Sequence, residues 1–132
     1  MSDRRREDAR RLQEMADAER RREAVEAQRL LDEFVVAAGD RGIPPQRLRA
    51  TLYSGATVKT DKAGWYLNQR RTVAVGDDGS YYSLVVSGGA MARFSGVKLE
   101  RSDPPLVIGR GARDGESGDL AEFLARVLDS GT

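Results

Sequence analysis

The stretch Ile108-Gly109-Arg110-Gly111-Ala112-Arg113-Asp114-Gly115-Glu116-Ser117-Gly118-Asp119 holds the residue types and spacing that come nearest to a chemistry. An apolar run, a glycine-rich loop with two arginines and the start of a helix suit an anion, because backbone amides and a helix N-terminus favour negative charge. Arg110, Arg113 and Ser117 are the candidate anion-binding residues. The glycine spacing misses the dinucleotide fingerprint by one residue, no lysine completes a phosphate loop, and no later strand closes a βαβ unit. Asp114, Glu116 and Asp119 would also repel a phosphate, so a plain surface loop accounts for the stretch better. The same carboxylates do not make a calcium loop. Gly118 and Asp119 stand where that pattern needs an oxygen ligand followed by glycine.

A second constellation is basic and aromatic. Arg47, Arg49, Lys59, Lys62, Arg70, Arg71, Arg93, Lys98 and Arg101 fall in or beside expected strands, with Tyr53, Trp65, Tyr66 and Tyr81 between them. A basic sheet with exposed aromatic rings stacks single-stranded nucleic acid in several folds. The candidate contacts are Arg49, Lys59, Lys62, Arg70, Arg71, Tyr66 and Tyr81, with Trp65 read as core. Residues 40–132 carry 13 basic and 11 acidic residues, so their charge alone calls for no polyanion.

Composition removes most other chemistry. The 132 residues include no cysteine and no histidine, which excludes disulfides, thiol catalysis and the usual general base near neutral pH. No catalytic residue, metal site or cofactor is expected. The adjacent Asp77 and Asp78 are explained by a turn, where nothing would press on their pKa values. No apolar run approaches the length of a membrane span and no secretory signal is evident, so the expected address is the cytoplasm.

The elements that must position these residues are readable in outline. Residues 2–38 lack glycine and proline and are rich in Ala, Arg, Glu and Gln, which predicts one long helix ended by Gly39 as its left-handed cap. Charges pair at helical spacing, and residues 1–39 net only −1. Ala24, Ala27, Leu31, Phe34, Val35 and Ala38 give the second half a face to bury. A coiled-coil seam through Leu12 and Met15 runs into Glu19, Arg22, Glu26 and Arg29. The helix should therefore dock from about 24 to 38 and continue as a frayed, solvated arm through about 23. Residues 40–132 should form the compact domain.

Within it, Leu48, Ala50 and Leu52 alternate as a strand, a short strand follows at 57–60, and Asp61-Lys62-Ala63-Gly64 reads as a turn into Trp65-Tyr66-Leu67. Asp78-Gly79 marks a hairpin in which Val75 faces Tyr82 and Val73 faces Leu84, with Ala74, Tyr81 and Ser83 on the other face. Val97 and Leu99 resume a period of two, and Leu106-Val107-Ile108 suits a strand covered on both faces. Asp119 and Glu122 spell a capping box before the stripe Leu120, Phe123, Leu124, Val127 and Leu128. The segments GWYL, TVAVGDDGSYYSLVV and SDPPLVIGRGARDGESGDLAEFL resemble a group of small uncharacterised proteins of high-GC actinobacteria. That resemblance spans roughly residues 24–128. It implies a charged N-terminal helix before a compact sheet, and assigns no activity or site residue.

The expected fold is α+β: an antiparallel meander of about five or six strands, a C-terminal helix packed on it and a long charged N-terminal helix. The expected function is that of a non-enzymatic accessory protein binding another macromolecule, or itself, through the arm, the glycine-rich loop or both. Nucleic-acid binding by the sheet and anion binding at the loop are the alternatives.

Overall fold

The computed structural model describes residues 2–89, 91–109 and 116–131. Helix α1 runs unbroken from Ser2 to Asp40, so the described part of the arm is helical. Side chains 3–16 are all exposed. The helix is laced there and beyond by pairs one turn apart, Gln13 with Asp17, Arg20 with Asp17, Arg22 with Glu19, and Arg29 with both Glu26 and Glu33. Its second half docks through Ala27, Leu31, Phe34 and Ala38, all buried. Among the described residues no helix is long and apolar enough to cross a membrane.

Gly39 does not end this helix. The left-handed residue is Gly42, at φ +69°, and the Ile43 amide donates back to Ala38 O at 2.9 Å while the Gly42 amide donates to Gly39 O at 3.1 Å. This is a Schellman closure, in which a hydrophobic residue after the glycine packs on the last turn. Ile43 fills that role beside Ala38 in the core.

Five strands follow: β1 (Gln46–Leu52), β2 (Thr57–Tyr66), β3 (Val73–Gly76), β4 (Tyr81–Ser83) and β5 (Val85–Val86), in the sheet order β4-β3-β2-β1-β5. The first four pair antiparallel, but β5 lies parallel to β1, so the sheet is mixed rather than the expected antiparallel meander. The cause is Leu84. Its amide donates to Thr72 O at 2.8 Å beside β3, and its carbonyl accepts the Thr51 amide of β1 at 2.7 Å. One strand thus leaves one edge of the sheet and joins the other, and the sheet is rolled until its edges meet. Rolling satisfies edge groups that would otherwise stand unpaired.

Two further expectations fail for local reasons. Asp61 to Gly64 makes no turn, because β2 runs through it by way of an irregularity in register opposite Leu48. The Thr60 hydroxyl, buried there, donates to Leu48 O at 2.8 Å and accepts from the Lys62 amide at 3.2 Å. The hairpin loop is Asp77-Asp78-Gly79, with the Gly79 amide donating to Gly76 O at 2.9 Å and the Gly76 amide to Ser80 O at 2.8 Å. Gly79 sits at φ +84°, as a turn closed by a glycine bulge requires. The extra residue shifts the register by one, so Val75 faces Tyr81, Ala74 faces Tyr82 and Val73 faces Ser83. Every side chain of one strand changes sides relative to the expectation.

That register builds two cores. Inside the rolled sheet lie Leu48, Ala50, Leu52, Val58, Ala74, Tyr82 and Leu84, stoppered by Ala92 of the short helix α2 (Ala92–Ser95) and by Leu99. Outside it, Trp65, Leu67, Val75 and Tyr81 meet α1, Ile108 and Leu120, Phe123 and Leu124. Phe34 stands edge-on to Trp65 at 5.4 Å, and the indole N–H donates to Ile43 O at 3.2 Å. Val97 makes only an isolated bridge to Thr60 rather than a strand. Leu106 and Val107 are half-buried rather than covered on both faces, because β6 (Val107–Ile108) pairs only with β7 (Gly118–Asp119) in a separate two-stranded sheet. Helix α3 (Leu120–Ser130) follows directly.

Candidate functional site

Arg110 and Arg113 lie outside the described residues. Ser117 is exposed on the rim of an open hollow of about 470 Å³ between Leu67–Gln69 and α3. The Glu116 carboxylate accepts the Arg70 amide at 3.1 Å, and the Leu120 amide at the start of α3 is taken by Leu106 O at 2.8 Å. Asp119 makes no side-chain cap bond, so the expected capping box does not form. Pairing of Asp119 with Val107 in β7 holds the chain at the helix start instead.

The seven candidate nucleic-acid residues are divided by the fold. Arg49 and Lys59 stand directly opposite each other on β1 and β2, both exposed, and the Arg49 guanidinium donates to Thr57 O at 3.3 Å. Tyr66 and Arg71 form a second pair, the guanidinium carbon 4.7 Å from the ring centroid. The Tyr66 hydroxyl accepts the Arg49 amide at 3.0 Å, which ties this pair to β1. The other three do not join them. Arg70 stands beside Glu116. Lys62 is engaged by Asp61 at 3.3 Å, a contact that raises the ammonium pKa above its ordinary value. Tyr81, expected on the face opposite Val75, is buried with Val75 beneath the helices, because the glycine bulge turns it over. Burial pushes its phenol up to about 12.

Arg47 and Lys98, from the wider basic set, complete what Arg49 and Lys59 begin. With Lys59, Asp61 and the Ser95–Val97 backbone they line an open groove of about 560 Å³, held by a hydrogen bond from the Val97 amide to Lys59 O at 3.0 Å. Asp61 is the one carboxylate in the lining. The Leu99 amide donates to it at 2.9 Å and holds its pKa below the usual carboxylate range, with Lys62 alongside. Its charge is therefore answered from within the protein. None of Arg47, Arg49, Lys59 and Lys98 has an ion-pair partner among the described residues. Tyr53, in the turn after β1, is 75 % exposed, and Phe94 on α2 is equally open.

The signal for this groove in the sequence is the alternation Arg47, Arg49, Thr51, Tyr53 against the buried Leu48, Ala50 and Leu52. What the alternation does not contain is the strand register that brings Lys59 opposite Arg49. Comparison with protein-family models, with curated proteins and with solved structures gives no match for this chain.

Proposed function

We propose that this chain is a non-enzymatic binding protein of the cytoplasm that engages another macromolecule through the projecting end of α1. The observation that carries this reading is the run of side chains 3–16, helical and exposed throughout, extending about 21 Å at ~1.5 Å per residue. Leu12 and Met15 are 67 % and 61 % exposed there, uncovered by any of the described residues. An isolated helix of that length is marginal in water, and continuity with the docked half of α1 supports it. A preformed helix gives up less entropy on binding than a disordered tail does.

Photo-crosslinking in the source cells tests the reading. A photoreactive residue at Leu12 or Met15 should yield a discrete adduct, and the same residue at the exposed Ala125 of α3 should not. Absence of any adduct from both arm positions would overturn the proposal.

A further inference from the structure

We infer that the outer face of β1 and β2, together with the groove leading to Lys98, binds single-stranded nucleic acid. This site lies on the sheet, apart from the arm, and stands or falls independently of it.

The argument begins with what α1 and α3 leave uncovered. They cover the outer face of the sheet around Trp65, Val75 and Tyr81, whereas the outward residues of β1 remain open. Alternation along the strand sets Arg47, Arg49 and Thr51 on one side, in a row with a step of about 6.7 Å, and Tyr53 follows in the turn that ends the strand. Lys59 lies across from Arg49 and Thr57 across from Thr51, and Lys98 stands over the groove at the Arg47 end. Three cations, Arg47, Lys59 and Lys98, thus share the groove with one carboxylate that already has its partners. Arg49 stands next to them across from Lys59, and none of the four has an ion-pair partner among the described residues. A polyanion is the complement of that surface.

Two features select a single strand among polyanions. Tyr53, in the turn that follows β1, is exposed, and so is Phe94 on α2, the residue before Ser95 of the groove lining. Open rings beside cations stack unpaired bases, whereas a duplex hides its bases and is read by an element that enters a groove. The face is a sheet bordered by the groove, and among the described residues no helix projects from it. An acidic peptide would meet the same cations but would leave the rings without a use.

The test is fluorescence anisotropy of the full chain with a labelled 15-mer oligothymidylate at 50 and 200 mM salt. With four phosphate contacts, affinity should fall about 50-fold between those concentrations. Lys59→Ala and Arg49→Ala should each weaken binding and flatten the salt slope by about 0.7. Tyr53→Ala should weaken binding about tenfold and leave the slope unchanged. Removal of residues 2–16 should change nothing. Circular dichroism confirms that each variant is folded. The inference is overturned by no binding at 50 mM salt, by tighter binding of a duplex or of a polyglutamate peptide, or by binding that survives all three substitutions.

Discussion

Tyr81 and Asp78 lie at one hairpin and respond to pH in opposite ways. Burial alone would raise the Asp78 carboxyl, but hydrogen bonds from the Ser80 amide and hydroxyl and from the Tyr82 hydroxyl outweigh it and hold the group below its usual value. Its contribution to stability is present above the ordinary carboxylate range and is lost as pH falls through the folded value. Tyr81 has no such compensation. Its phenol is pushed up to about 12, so the fold holds the neutral form. That contribution is complete below pH ~10, the unfolded value, and is lost as pH rises toward the folded one. Such a rise is worth about 2.7 kcal/mol at most. Urea unfolding should therefore show a midpoint that drops between pH 9 and pH 11.5, with Tyr81→Phe flattening the drop. An equally steep drop in the variant would place the alkaline sensitivity elsewhere.

At the scale of elements, the end of α1 separates two glycines that the sequence alone makes look alike. Gly39 lies inside the helix, and a Cβ there meets nothing within 4 Å. Gly39→Ala should stabilise the protein by about 0.5 kcal/mol, because alanine loses less backbone freedom in a helix. Gly42 also has open space around it, but it sits at φ +69° and closes the Schellman turn. Gly42→Ala should cost about 1 kcal/mol. Thermal melts of the two variants should move in opposite directions, and a shared direction would refute the assignment of the helix end. The long helix, the amphipathic last helix, the alternating β1 and the turn at Asp78-Gly79 are all legible in the sequence because each is local. Other features rest on single residues acting over distance. One extra hairpin residue moves Tyr81 under the helices, the Thr60 hydroxyl carries β2 through an expected turn, and Leu84 pairs with two strands at once. The candidate site divides in the same way. Arg49 and Tyr53 follow from alternation, whereas Lys59 and Lys98 arrive only with the register of β2 and the path of residues 95–98.

For the molecule as a whole, the exposed first turns of α1 lie apart from the domain's core. Side chains 3–16 cover none of the core, and the first long-range polar ties of α1 are Glu23 accepting the Leu106 amide at 2.8 Å and Gln28 donating to Gly79 O at 2.7 Å. Removing residues 2–16 should leave the urea midpoint unchanged within ~0.5 kcal/mol. The full chain should run in gel filtration with light scattering at a monomer's mass yet elute early for it, and truncation should restore the elution of a sphere. A dimer that the truncation dissolves would make the arm's partner a second copy of itself. The closure at Leu84 sets the order in which the chain can fold. Strand β1 is synthesised before most of the sheet, but its outer edge, with the Thr51 and Tyr53 amides, has no partner until residues 84–86 have emerged and bent back. Hairpins formed earlier leave that edge open, and an open edge pairs with whatever strand is near. The step that commits the protein to its native state is therefore a late, long-range one. Slow folding and losses to aggregation should track the residues that make the bend rather than those that make the turns.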